Sequence, residues 1–197
     1  MPPYAGSKLP PMSDPFFFGY GSLVNRATHA YPRATKARVS GWGRAWRGTR
    51  LRRVAYLTAV EMPGAEIDGL IAAVPGADWA ALDARERAYA RHQVAEISHN
   101  HEDSVAVQIY KVEPHHEADG EDHPILLSYL DTVVQGYLRE FGTNGAAQFF
   151  HTTIGWELSI LNDRAAPIYP RAQPLEADER RFVDNQLESL STVVKQL

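Results

Sequence analysis

Short aromatic and β-branched runs punctuate the first 112 positions, whereas apolar residues spaced by three and four take over from position 125. The first run, Phe16, Phe17 and Phe18, is closed by Gly19 and Gly21, as a buried strand ending in a tight turn should be. The same pattern predicts strands over 38–46, 54–60, 67–74 and 105–112. Between the last two, 78–92 has Asp78 as a candidate N-cap, several alanines and no Gly or Pro, which predicts a helix. A second helix is predicted over 125–141, starting after Pro124 and stopping at Gly142. A third is predicted over 176–197, where Val183, Leu187, Leu190, Val194 and Leu197 form a seam that packs on the domain or on a second copy of the chain. The stretch 142–176, with Pro167, Pro170 and Pro174, reads as an irregular connection.

Strands followed by helices predict a mixed α+β domain. The expected organisation is a flexible N-terminal arm, 1–14, rich in proline, and a single domain, 15–197, with its C-terminal helix at 176–197. The chain has 197 residues, 44% hydrophobic and 22% charged, in keeping with one ordinary globular domain. With 20 Lys and Arg against 24 Asp and Glu, the net charge is −4, which argues against a general nucleic-acid binder. No run of 18 apolar residues and no signal-like start are seen, so neither a membrane partner nor secretion is expected. The absence of cysteine excludes disulfides, thiolate nucleophiles and Cys-ligated metals, and fits a cytoplasmic location.

Three features carry candidate chemistry. Trp79, Leu82, Glu86, Tyr89 and Gln93 advance by three and four, which sets Glu86 in the middle of an inward helix face. Asp83 has Arg87 four residues on, an expected exposed ion pair, but Glu86 has only Leu82 and Ala90 at those offsets. An inward carboxylate is costly unless paired or protonated, so Glu86 either binds a buried group such as Arg44 or does chemistry. The turn Gly19-Tyr20-Gly21-Ser22-Leu23 can gather backbone N–H groups around an anion. It is neither a dinucleotide fingerprint, because Val24 replaces the third glycine, nor a P-loop, nor a serine nucleophile elbow. The third feature is a cluster of His92, His99, His101, His115, His116 and His123 among Glu102, Asp103, Glu117, Asp119, Glu121 and Asp122. It could ligate metal, but it lacks the spacing of a helical zinc motif, so no metal site is expected.

In order and spacing, the turn and the glutamate about 65 residues later resemble the γ-glutamylcyclotransferase family, including its glutathione-degrading ChaC-like branch and AIG2-like relatives. Phe18-Gly19-Tyr20-Gly21-Ser22-Leu23 resembles the family's Tyr-Gly-Ser-Leu turn, and Val39-Ser40-Gly41-Trp42-Gly43-Arg44-Ala45-Trp46 its second strand. Ile67-Asp68-Gly69-Leu70 and Leu82-Asp83-Ala84-Arg85-Glu86 are similar to the strand before the catalytic helix and to the segment bearing its glutamate. Asp131-Thr132-Val133-Val134-Gln135-Gly136, preceded by Tyr129, resembles the next helix.

The resemblance implies a small mixed β-barrel flanked by helices. It also implies conversion of a γ-glutamyl compound to 5-oxoproline by attack of the substrate's own α-amine on its γ-carbonyl. Glu86 would be the acid–base residue. Tyr20, Gly21, Ser22 and Leu23 would line the γ-glutamyl site, and Tyr129 would add a substrate contact. No cofactor is implied. A binding module that holds such a ligand without turning it over, a metal-dependent hydrolase built on the histidines, and a homodimer through the C-terminal seam are the other readings.

Overall fold

The computed structural model describes residues 14–118, 123–190 and 192–197. The expected arm lies outside these except for Asp14, whose Oδ1 accepts a hydrogen bond from Gly76 N at 2.8 Å. Asp119, Glu121 and Asp122 also lie outside.

The body is a seven-stranded sheet made by β1 (Phe16–Gly19), β2 (Thr35–Thr49), β3 (Arg52–Ala73), β4 (Tyr89–Gln93), β5 (Ile97–His99), β6 (Val107–Val112) and β8 (Thr153–Ile154). Its path is β4-β6-β1-β3-β2-β5, with β8 joining β2. The predicted strands at 54–60 and 67–74 are two halves of β3, because Pro63 and Gly64 sit in a bulge rather than a turn. There the register against β2 jumps from Ser40↔Glu66 to Trp42↔Glu61, and Gly41 and Gly64 take the positive φ values, 79° and 83°, that such a bulge needs.

The expected barrel is an open sheet whose hydrogen-bonded ladder does not close. Its two end strands, β4 and β5, are nevertheless joined by residues 94–96 alone. So short a link spans roughly 14 Å at most, which forces the sheet to curl until its ends approach. Val94 N donates to Val107 O at 2.9 Å on one side, and Ser40 N to Glu96 O at 3.1 Å on the other.

Alternation along β1 divides the core. Phe16 and Phe18 join the main cluster with Leu130, Val133, Val134 and Tyr137, while Phe17 points the other way onto Leu23, Val74, Leu82 and Tyr110. Leu130, Val133, Val134 and Tyr137 belong to α2 (Leu127–Thr152), which follows the short β7 (Ile125–Leu126). The predicted stop at Gly142 is a break, with φ 68°. Helix resumes beyond it and buries Ala146, Phe149 and Phe150, a run too short and too close to Gly145 to stand out in the sequence.

The expected helix over 78–92 is limited to α1, Ala80–Arg85. Its N-cap is Trp79 rather than the expected Asp78, which stands one residue earlier and accepts from Ala80 N at 3.1 Å without capping the helix. Tyr89–Gln93, however, pairs with β6, and this ladder outweighs the alanines' helix propensity, which tertiary pairing readily overrides. Asp83 does not pair with Arg87; it holds Arg91 at 3.0 Å and accepts from Tyr110 Oη at 2.6 Å.

The C-terminal helix is also shorter than expected. α3 (Ala177–Ser189) opens on a capping box between Glu176 and Glu179 and buries Val183 and Leu187 against the domain. The β-branched run Thr192-Val193-Val194 then favours strand, and β10 (Val194–Gln196) pairs in parallel with β9 (Ile160–Asn162), which pairs with β7. Val194 and Leu197 therefore leave the expected seam and are exposed. Among the described residues no helix is long and apolar enough to cross a membrane.

Leu82, fully buried, is the residue by which α1 grips the sheet. Leu82→Ala should cost about 2–5 kcal/mol in urea denaturation; an unchanged midpoint would mean that α1 is held some other way.

Candidate active site

β1 ends in a turn whose glycines answer to crowding. A side-chain carbon at Gly19 would meet Leu23 Cβ at 2.6 Å, and one at Gly21 would meet Tyr129 Oη at 2.7 Å. Gly21 itself has φ −112°, so the close approach of Tyr129, rather than a left-handed backbone, is what calls for glycine there. The chain then makes a 3₁₀ turn, Ser22–Val24, closed by Val24 N to Gly21 O at 3.0 Å and Asn25 N to Ser22 O at 3.1 Å. The N–H groups of Ser22 and Leu23 open that turn, where no intrahelical acceptor exists; Gly21 has no side chain to cap it, and the Ser22 N–H meets the Tyr129 phenol instead.

Tyr20 anchors the turn from below. Its hydroxyl donates to Tyr110 O at 2.5 Å and accepts from Ala59 N at 2.9 Å, while burial drives the phenol far above its ordinary pKa. The Tyr20 carbonyl lies 2.9 Å from the Tyr137 hydroxyl, which Arg44 Nη1 also reaches at 2.5 Å. Arg44, the expected alternative partner of Glu86, is thus committed to α2, where it also meets Thr152 and the Phe149 ring.

Glu86 is turned inward by the end of a helix rather than by a continuous seam. It follows the last residue of α1 with φ −100° and ψ 36°. In a continuing helix adjacent side chains diverge by roughly 100°. Leaving the helix lets Glu86 Oε1 come back to 3.2 Å from Arg85 Nε, with the two side chains 16% and 9% exposed respectively. The rest of that guanidinium grips the turn: Nη1 donates to Thr28 O at 2.9 Å, and Nη2 to Ser22 Oγ and Thr28 Oγ1, both at 3.1 Å. Burial raises the Glu86 pKa above its ordinary value, and the positive charges of Arg85 and Arg171 pull against the rise without cancelling it.

Glu86 faces two connected spaces. A small inner chamber of about 30 Å³ is lined by Tyr20, Gly21, Ser22, Leu23, Glu86 and Tyr129 among others. It shares Ser22, Leu57, Glu86, Tyr89 and Tyr129 with an outer chamber of about 610 Å³. Tyr129 packs edge-on against Trp46 at 5.9 Å and Tyr169 at 5.0 Å, while Tyr89 donates to Leu57 O at 2.9 Å. Burial lifts the phenols of Tyr89 and Tyr129 well above their ordinary range, so both are neutral donors at physiological pH.

All six residues expected at the site therefore line one inner chamber. Sequence reasoning missed Arg85, Tyr89, Tyr169 and Arg171. Arg85 had a signal, standing next to an inward glutamate; Tyr169 and Arg171 had none, because only tertiary structure brings their loop here. The histidines do not gather as a group. Glu113, His115 and His116 place one ligand atom each within 4.8 Å of one another, and His116 reaches the outer chamber's rim, whereas His101 packs against Phe16 and His99. A depression of about 750 Å³ beside Trp42 and Glu61 contains none of the site residues.

The sequence profile of γ-glutamyl cyclotransferase, AIG2-like proteins matches residues 17–131. The chain belongs to that family. No curated protein matches it. Among solved structures it is similar to YkqA from Bacillus subtilis, with a TM-score of 0.55 and 18% identity over 72% of this chain and 56% of YkqA. It is also similar to a γ-glutamyl cyclotransferase, with a TM-score of 0.55 and 13% identity over 87% of this chain and 99% of the other. An uncharacterized protein from Homo sapiens gives a TM-score of 0.56 and 14% identity over the same shares, 87% and 99%. The chain thus spans little more than half the length of YkqA, and at these identities the likeness is one of fold.

The contact between turn and helix is testable. Gly21→Ala should destabilise the protein by about 1–3 kcal/mol through its clash with Tyr129 Oη, and Tyr129→Phe in the same chain should recover most of that loss. Additive effects in urea denaturation would show that the two residues do not crowd each other.

Proposed function

We propose that the protein is a γ-glutamyl cyclotransferase that converts a γ-glutamyl compound to 5-oxoproline and a free amine, with Glu86 as its acid–base residue. The observation that carries this reading is that the Glu86 carboxylate lines the same inner chamber as the Gly21-Ser22-Leu23 turn. Family membership supports it.

The reaction asks little of an enzyme, since nucleophile and electrophile belong to one molecule and need only be held in the reactive conformer. In this reading the α-carboxylate of the substrate seats at the N–H groups of Ser22 and Leu23, for which the inner chamber has room. Glu86 accepts a proton from the α-ammonium, and the freed amine attacks the γ-carbonyl carbon. The tetrahedral intermediate, whose ring nitrogen still carries one proton more than the lactam keeps, then expels the original amide nitrogen. That nitrogen receives the proton held by Glu86 and, relayed through the same carboxylate, the second proton from the ring nitrogen, so that it leaves as an ammonium group. The C–N bond lost balances the C–N bond formed. Arg85 is a positioning residue: it keeps the carboxylate aimed and ties it to Ser22.

The pH dependence follows from the direction of the shift. Glu86 must be ionised to accept the first proton, and burial raises its pKa. kcat/KM should therefore fall as pH drops through a midpoint above the ordinary glutamate range, and Glu86→Gln should abolish that limb. In a panel of glutathione, γ-glutamyl amino acids and γ-glutamyl amines, Glu86→Gln should lower 5-oxoproline release by about 100-fold or more. Release by the variant at the wild-type rate would remove Glu86 from the mechanism, and no release from any compound by the wild type would favour a ligand-binding role for the same chamber.

A further inference from the structure

The loop after β9 is held by buried polar groups. Asp163, fully buried, accepts from Ser128 N at 2.8 Å, from Ser128 Oγ at 2.6 Å and from Ile168 N at 2.8 Å. Further on, Tyr169 N reaches Ser128 Oγ at 3.4 Å, Gln173 N reaches Thr132 Oγ1 at 3.3 Å, and Pro174 O accepts from Gln135 Nε2 at 2.8 Å. Ser128, Thr132 and Gln135 all stand on α2. A buried carboxylate is costly unless its oxygens are satisfied, and here every acceptor contact goes into fastening one irregular segment. Between the pins, Ala172 N closes back on Tyr169 O at 3.1 Å. The resulting turn delivers Tyr169, Pro170 and Arg171 to the outer chamber.

Arg171 has no ion-pair partner among the described residues, yet its charge is felt at Glu86. Around it, the outer chamber is strongly basic. Among the described residues, Arg52, Arg85, Arg87 and Arg171 line it against the single acid Glu86, in a protein whose net charge is −4. The charge of Arg85 is taken up by Glu86. Arg171 lines the outer chamber but not the inner one. The inner chamber, about 30 Å³, has room for little more than a carboxylate, so whatever is attached to a γ-glutamyl group extends into the outer space. The family match also ends at residue 131, well before this loop.

We propose that Arg171, presented by its pinned turn to the outer chamber that Glu86 also lines, is the specificity residue that binds a carboxylate on the departing amine. The favoured substrates are then γ-glutamyl amino acids or peptides rather than γ-glutamyl amines without a second anion. This rests on the cyclotransferase reading. A guanidinium can grip a carboxylate through two parallel hydrogen bonds, which a neutral alkyl group cannot return.

The test is a matched pair, γ-glutamylalanine and γ-glutamylethylamine, which differ only by that carboxylate. Wild-type kcat/KM should favour γ-glutamylalanine by about 10- to 100-fold, the scale of a charged hydrogen-bonded contact. Arg171→Gln should reduce this preference by about tenfold or more, and Arg171→Lys should restore part of it. A wild-type ratio near one would overturn the proposal. So would an equal loss on both compounds in Arg171→Gln, since Arg171 would then hold the shared γ-glutamyl end or act only through Glu86. Absence of 5-oxoproline from both compounds would instead refute the cyclotransferase reading. Calorimetric Kd values for the same pair would then decide the role of Arg171, and equal affinities would refute it.

Discussion

The guanidinium of Arg85 joins the two halves of the site. On one side it meets the carboxylate of Glu86, on the other the hydroxyl of Ser22 and both oxygens of Thr28. These groups come from a strand-end turn and a helix end more than 50 residues apart in the chain. Without that bridge, Glu86 would be a largely buried, unpaired charge, and the turn would lose its only side-chain tie to α1 among the described hydrogen bonds. Breaking such a pair from one side costs about 3–5 kcal/mol, because the remaining charge stays buried. The early end of α1 makes the bridge geometrically available, since only departure from the helix lets consecutive side chains meet.

Around this bridge the chamber is walled by neutral tyrosines and lined outward by arginines. The phenols give edges, faces and hydroxyls without adding charge, so the field at the site is set by one carboxylate and several cations. Two opposing influences act on Glu86: burial favours the protonated acid, and Arg85 and Arg171 favour the carboxylate. In the proposed reaction Glu86 both takes and returns a proton, a task that such opposition would serve.

Part of this was legible in the chain. The Gly-Tyr-Gly-Ser-Leu turn and Glu86 could be singled out because glycine pairs and isolated inward acids are locally unusual. Tyr129 followed from the family resemblance. The reason Glu86 points inward was not legible: the three-and-four seam suggested a continuous helix, whereas Tyr89–Gln93 is a strand held by β6. Pairing across the sheet outweighed local preference. In the same way Val194 continued a helical seam in sequence while belonging to β10. Tyr169 and Arg171 could not be read at all, since their placement depends on Asp163 meeting Ser128 on α2, a contact no periodicity announces.

The account rests on a carboxylate held inside the protein against a single guanidinium, and the most direct measurement is a carbon-13 NMR titration of the Glu86 side chain in wild type and in Arg85→Gln. The expected midpoint in the wild type lies above the ordinary glutamate range and rises further when Arg85 is removed. An ordinary or depressed midpoint in the wild type, or one unmoved by loss of Arg85, would contradict it.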